Sequence, residues 1–345
     1  MGLKIPEDVA EWHRWQQSRS LKSRVQNRVR PSKASPGFVL LTNGAAPRLL
    51  VVIEAPKPST VAAYAAPLRS LADTSVAVLA PTDVSGLLGG NWQTTQLLGH
   101  GLPEVLREVR AVYSAGNYLP GGALSYRWSQ ELGARFVVAQ HGLMTPYAPP
   151  LAHGTHLLAF SSEDADFWKS GRTDVTHEVV GGQILWDAAK RESLDEGTRD
   201  DRPVFLGQLH GAELPRAISG GTAVRFCKQT GAEYRPHPAE TDKLSQLQHR
   251  FWRARGVRFE SSGRSLAHLN RPVVSVFSTG VLEAAAAGQP AWVSCVNAPE
   301  WVRDFWERYD LSEWGGDPTP APPVPPVEPA KAIAASLARI LEGTA

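Results

Sequence analysis

The sequence predicts an α/β protein built as two successive parallel sheets, each covered on both faces by helices. Three observations carry that expectation. Short, nearly continuous apolar runs alternate with helix-like segments, the pattern of strands buried on both faces. The alternation stops at a charged stretch, residues 188–202, and begins again beyond it, which reads as a linker between two domains. The 345 residues are 42% hydrophobic and 20% charged, enough for two cores and unlike a disordered chain.

In the first domain, residues 37–187, the strand-like runs are RLLVVIEA (48–55), SVAVLAP (75–81), AVYSAG (111–116), ARFVVAQHG (134–142), HLLAFSS (156–162) and THEVVGG (176–182). Helix-like segments fall at 122–133 and 162–171, and Gly133 suits the position just past a helix end. In the second domain, residues 203–316, strands and their exits are read at 203–211, 232–238, 257–262, 271–280 and 290–296. Helices are read there at 216–231, 240–256, 281–288 and 301–310. Residues 317–345 hold a stiff strap, with seven prolines between 317 and 329, and a last helix at 330–343 that can pack back across the body.

Charge is uneven. The chain as a whole carries +2, but residues 1–36 hold eight Lys or Arg against three acids. Trp12 and Trp15 share a helical face there, three residues apart. One reading is an interfacial helix on anionic lipid. The other is a solvated helix that docks its two indoles on the body of the protein. Two distant cysteines, Cys227 and Cys295, give neither a disulfide framework nor a zinc cluster. No apolar run reaches the roughly 18 residues of a membrane span, and the polar N-terminus does not read as a signal peptide. A cytoplasmic protein, peripheral at the inner membrane face through residues 1–36, is the resulting expectation.

In open α/β sheets, ligands bind beyond the carboxyl ends of the strands, so chemistry is sought at strand exits. Three stand out. AQHGLMTPY delivers His141 into a turn, YRPHPAE fixes Arg235 and His237 between prolines, and VVSVFSTGVLEAAAAGQPAWV breaks at Ser278-Thr279-Gly280 before an Ala-rich helix. Hydroxyls and a backbone free to approach closely, placed before a helix, suit an anion such as phosphate. Glu283, about one turn further on, is positioned to accept from ribose hydroxyls. His237 and Arg235 would meet the phosphate charge from the neighbouring exit; the alternative is a rigid turn that leaves His237 merely exposed.

These residues resemble a GT-B glycosyltransferase, a fold of two Rossmann-like domains facing a cleft. Bacterial sialyltransferases and related capsule enzymes hold the phosphate of a CMP-sugar with an HP and an SS/ST element. The CDP-glycerol glycerophosphotransferases of teichoic acid synthesis have an HG element in the first domain and serines at the equivalent second-domain exit. FVVAQHG, HLLAFSSEDADFW and VVGGQILWD are similar to the end of the acceptor domain in this group, and LEAAAAGQPAWV to its ribose-binding helix. The resemblance spans about residues 105–310. It implies that Arg235, His237, Ser278, Thr279 and Gly280 bind donor phosphate and that Glu283 binds ribose or base. His141 becomes the candidate catalytic base, against the alternative of a histidine that only caps a strand end. His210, in LGQLHGAE, becomes a candidate to bind phosphate or assist the leaving group.

The first domain lacks the acidic-acidic-Gly element that carries the base in many bacterial sialyltransferases. Gln140-His141-Gly142-Leu143 stands where the teichoic-acid type has Trp-His-Gly-Thr. No Asp-x-Asp motif of the kind that holds a divalent metal on a diphosphate is read, so the expectation is a metal-independent transferase with no cofactor beyond its substrate, a nucleotide-sugar donor with CMP- or CDP-linked favoured. Its acceptor would be a cell-surface glycan or a lipid-linked molecule. Two rivals stay open: a sugar-nucleotide epimerase of the same fold, and a noncatalytic protein of that fold that binds nucleotide or nucleic acid. The near-balanced net charge argues against a nucleic-acid partner.

Overall fold

The computed structural model describes residues 2–19, 37–55, 58–71, 74–182, 200–209 and 211–344. The chain divides into two compact units. The first comprises Met1–Leu185 together with Pro325–Ala345, and the second Trp186–Val324. His210, most of the 188–202 linker and the stretch 20–36 of the basic N-terminal segment lie outside the described residues.

The first unit is an eight-stranded sheet. Its strands are β1 (Phe38–Thr42), β2 (Leu49–Val52), β3 (Val76–Ala80), β4 (Gln93–Leu97), β5 (Ala111–Ser114), β6 (Arg135–Ala139), β7 (His156–Ala159) and β8 (Thr176–Val179), in the order β4-β1-β3-β2-β5-β6-β7-β8. From β3 to β8 all neighbours are parallel, but β1 is antiparallel to both β3 and β4. The sheet is thus mixed, where the sequence pattern led to a purely parallel one. FVLLT is buried throughout and fills the space beside β3, while QTTQL is almost wholly exposed. A polar edge of this kind resists pairing with another chain.

Alternate residues of each strand face opposite layers. Leu49, Val51, Val78 and Tyr113 join one core, and Leu50, Val52, Val112 and Phe136 the other. The second core is closed by helices lying between strands, among them the helices Pro120–Leu132, through Leu124 and Trp128, and Ser162–Lys169, through Phe167 and Trp168. The first core is closed by the C-terminal helix, Pro329–Glu342, which returns from the far end of the chain with Ile333, Ala334, Leu337 and Leu341. Arg339 pairs with Glu178 of β8 at 2.5 Å, and Arg48 bonds the Leu341 carbonyl.

Among the described residues, the helices of seven residues or more are, in chain order, α1 (Val9–Arg19), α2 (Pro58–Ala65), α3 (Pro120–Leu132), α4 (Ser162–Lys169), α5 (Arg216–Thr230), α6 (Lys243–Ala254), α7 (Gly280–Ala286), α8 (Glu300–Arg308) and α9 (Pro329–Glu342). α3 starts on Pro120 and ends on Gly133 at φ 65°, the left-handed end its sequence foretold. α4 is capped by Ser161, whose hydroxyl accepts from the Asp164 amide at 3.1 Å. Both indoles of α1 are docked on the first unit. Trp12 Nε1 donates to the Tyr147 carbonyl at 2.8 Å, and Trp15 stacks on the Tyr147 ring at 4.8 Å. No helix among the described residues is long and apolar enough to cross a membrane.

The second unit is smaller and wholly parallel. β9 (Val204–Leu206), β10 (Glu233–Arg235), β11 (Arg258–Phe259), β12 (Val273–Ser275) and β13 (Ala291–Val293) run in the order β11-β10-β9-β12-β13. α6 is capped by Asp242, which accepts from the Leu244 and Ser245 amides. α8 finds its packing surface through Phe305 and Trp306, the latter bonded to the Val276 carbonyl at 2.6 Å.

Candidate functional site

In the second unit the chain passes from β9 outward to β10 and β11, then returns to place β12 on the other side of β9. The strand order reverses there, the place where open sheets hold ligands. The exits of β10 and β12, with His237 and Ser278, flank the exit of β9, roughly 10 Å apart at two strand spacings. Three bonds lock these exits together. Gly207 N donates to the Arg235 carbonyl at 2.8 Å, Leu209 N to Glu240 Oε1 at 3.0 Å, and Phe277 N to Gln208 Oε1 at 3.0 Å.

Glu240 is the hub of that arrangement. Its buried carboxylate also accepts from the Tyr234 hydroxyl at 2.9 Å and meets His249 Nε2 at 2.9 Å. Neither Glu240 nor Glu213 caps a helix; α6 takes its cap from Asp242 and α5 starts after Pro215. Burial raises the Glu213 carboxyl above its ordinary value, against backbone hydrogen bonds that lower it.

His237 is exposed in the turn, and its Nδ1 accepts from the Ala239 amide at 3.1 Å. Because a backbone N–H can only donate, the neutral ring carries its proton on Nε2. At the β12 exit, Ser278 Oγ accepts from Gly280 N at 3.1 Å, which leaves its own O–H to donate elsewhere. Glu283 lies half-buried in α7, and desolvation is the one cause that raises its carboxyl above the usual range.

Two expectations change here. Gly280 is buried, and a Cβ on it would stand 2.6 Å from Leu206 Cδ1 and 3.0 Å from Leu266 Cδ2. Its small size serves packing against the strand and not approach of a ligand. α7 has only seven residues, so its dipole adds little to anion binding. Arg235, for its part, is drawn aside. It donates to the Arg264 carbonyl at 2.7 Å and lies 3.4 Å from the buried carboxylate of Glu260.

The first unit holds His141 at the exit of β6. Gln140 before it is buried and fully engaged: it donates to Asp164 Oδ2 at 2.7 Å and to the Gly142 carbonyl at 3.0 Å, and accepts from Phe160 N at 2.8 Å. The His141 turn is thereby pinned to β7 and α4. His141 keeps exposed surface, yet protein atoms crowd its ring, and this desolvation draws its pKa below the ordinary imidazole value; a hydrogen bond to the Ala139 backbone acts in the opposite sense. Asp164-Ala165-Asp166 is an Asp-x-Asp spacing in sequence, but Asp164 is buried as the partner of Gln140.

Two strands away, the exit of β2 carries Glu54, beside the strand-order reversal between β2 and β5. Its carboxylate accepts from Gly122 N at 2.5 Å and Gly121 N at 3.3 Å, the first amides of α3. Burial raises this carboxyl, and those two amides partly restrain the rise. A Cβ on Gly122 would fall 1.9 Å from the Gly116 carbonyl. Gly122→Ala is therefore expected to cost about 2–3 kcal/mol, read as a lowered urea midpoint; an unchanged midpoint contradicts the close packing of α3 on that loop. Sequence reasoning passed over Glu54 and the bracing roles of Gln140 and Glu240. For Glu54 a signal existed, a carboxylate directly after a continuous apolar strand.

A cavity of about 660 Å3 in the first unit lies at the other end of the sheet, lined by Arg110, Arg135, His156, Thr176 and Glu178. These residues precede or begin their strands or, like Glu178, face that end, so the cavity is separate from the exits that carry His141 and Glu54.

The fold and the exits define a two-unit α/β protein with polar side chains at the places where a mixed and a parallel sheet each reverse their strand order. No family model matches the chain, and no curated protein does. Among solved structures, a glycosyltransferase from Rickettsia africae ESF-5 is similar at 10% identity and a TM-score of 0.42, over 87% of this chain and 89% of that one. A likeness of that depth fixes neither a family nor an activity.

Proposed function

We infer that the chain is a glycosyltransferase of the GT-B type that binds a nucleotide-activated donor on its second unit. The observation that carries this reading is the pairing of His237 and Ser278 on either side of β9, with the desolvated Glu283 behind them. His237 Nε2–H and the hydroxyls of Ser278 and Thr279 donate to the donor phosphate. Glu283, desolvated by its burial in α7, accepts from the ribose hydroxyls. Arg235 braces the loop through Glu260 and Arg264 instead of meeting the phosphate.

His141 acts as general base. It removes the proton of an acceptor hydroxyl, the oxygen forms a bond to the anomeric carbon, and the carbon–phosphate oxygen bond breaks with its electron pair leaving on the nucleotide. Imidazole and hydroxyl donors aimed at the leaving phosphate supply the stabilisation that a divalent ion gives in other transferases. A CMP- or CDP-linked donor is favoured, with a cell-surface glycan or lipid-linked acceptor; the glycerophosphotransferase variant would place the attack at phosphorus.

Calorimetry with CMP, CDP, UDP and GDP tests the reading. One cytidine nucleotide is expected to bind, and His237→Ala to weaken it about tenfold, the loss of one charge-assisted hydrogen bond. Absence of binding by any nucleotide at millimolar concentration overturns the transferase reading.

A further inference from the structure

Among the described residues, nothing covers the outer face of α6 in the second unit. Its buried side, through Ser245, His249 and Trp252, packs on the unit. Its outer side exposes Leu244 at 50%, Leu247 at 63% and Phe251 at 50%. Among the described residues these are three of ten exposed large apolar side chains, and they share one helix of 12 residues. At about 3.6 residues per turn they fall within roughly 60° of arc. Lys243, Arg250 and Arg253 occupy the adjoining arc, and Arg255 lies over the Phe251 ring at 3.9 Å.

The charge on this face has one sign. Between Lys243 and Phe259 there are five basic residues and no acid, and all five are exposed. The acids nearest in sequence are already engaged: Asp242 by Arg216, Glu240 by Tyr234 and His249, and Glu260 by Arg235. An apolar stripe beside an uncompensated basic stripe is the pattern of a helix lying in a lipid interface, with side chains in the acyl boundary and cations among the headgroups. A nucleic acid would use the cations and leave the Leu and Phe side chains in water. A second copy pairing through the same face would set like charges against each other.

We propose that α6 is a membrane-docking face that seats the second unit on a bilayer rich in anionic phospholipid. Leu244, Leu247 and Phe251 enter the interface, and Lys243, Arg250 and Arg253 bind the headgroups. This assignment does not depend on the transferase reading. It also differs from a membrane role for α1, whose two indoles are already engaged by Tyr147.

The test is co-sedimentation of the full chain with vesicles of phosphatidylcholine alone, or of phosphatidylcholine with phosphatidylglycerol. Binding is expected only with phosphatidylglycerol, and it should weaken as salt rises. Lys243→Gln/Arg250→Gln/Arg253→Gln should weaken it by about 100-fold, at roughly fivefold per charge. Leu244→Ser/Leu247→Ser/Phe251→Ser should weaken it more than about tenfold, and removal of residues 1–30 should leave it in place. Failure of the unaltered chain to bind anionic vesicles overturns the proposal. So does full binding by either triple variant, or loss of binding on removing residues 1–30 alone. Self-association without vesicle binding, abolished by the Leu/Phe variant, would assign the face to a second copy instead. Where the apolar variant is unfolded by circular dichroism, Leu247→Cys in a Cys295→Ser background with a polarity-sensitive dye reads the same contact. A blue shift with anionic vesicles supports it, and unchanged emission overturns it.

Discussion

His141→Ala lowers kcat by about 10²–10⁴-fold, the range expected for removing a general base, while the affinity for nucleotide stays within about twofold. The two readouts separate because His141 belongs to the first unit and His237, Ser278 and Glu283 to the second. The pH profile gives an independent check. Desolvation lowers the imidazole pKa, so the neutral, proton-accepting form persists to more acidic pH than in a free histidine. The acid limb of kcat/KM, which reports the free enzyme, should therefore lie below the ordinary value of 6.5. Gln140→Ala leaves the base present but releases its turn, and should reduce kcat without moving nucleotide affinity. A His141→Ala variant with full turnover would return the residue to the role of a strand-end histidine.

Glu240→Ala is expected to destabilise the protein by about 3–5 kcal/mol, the range for breaking a buried pair by deleting one partner. The deletion strands the Leu209 amide, the Tyr234 hydroxyl and His249 Nε2 together, in a site from which water is excluded. Tyr234→Phe removes a single donor and should cost about 1 kcal/mol. Urea unfolding followed by tryptophan fluorescence reads both. Nucleotide affinity should fall with Glu240→Ala as well, because Leu209 holds the β9 exit in register with the His237 turn. A loss of stability below about 1 kcal/mol would mean that the hub is hydrated and the exits are fixed by other contacts.

Much of the fold was legible because apolar runs of four to six residues have few other uses. β9, β12 and β13 of the second unit, and β2, β3 and β5 to β7 of the first, sit on or within such a run, whereas β8 (THEV), β10 (EYR) and β11 (RF) carry polar or charged residues. β4 was not legible: QTTQL is exposed along its length and leaves no hydrophobic period to detect. β1 had the apolar signal, but its antiparallel direction is decided by the short connection to β2 and not by its composition. At the site, His141, His237 and Ser278 could be picked out because each follows a strand directly. The residues that hold them could not. Gln140 depends on Phe160 and Asp164, and Glu240 on Leu209 and His249, contacts made by folding and carried by no local pattern. Arg235 shows the opposite case, since a side chain read as facing a ligand is taken up by Glu260 and the Arg264 carbonyl, while the space beside Gly280 is filled by Leu206 and Leu266.

The return of α9 to the first unit sets the order in which the chain can mature. During synthesis the strands β1 to β8 leave the ribosome early, yet one face of their sheet, covered in part by Val61 and Tyr64 of α2, stays incompletely covered until Ile333, Leu337 and Leu341 have been made. The second unit, a single uninterrupted stretch of sequence, is complete before then. The part begun first is thus the part finished last, and for the intervening residues it presents a partly open apolar face to the cell. Nascent chains halted before Pro329 are the species in which chaperone dependence would concentrate, and a stop codon there would harm the first unit more than the unit it interrupts.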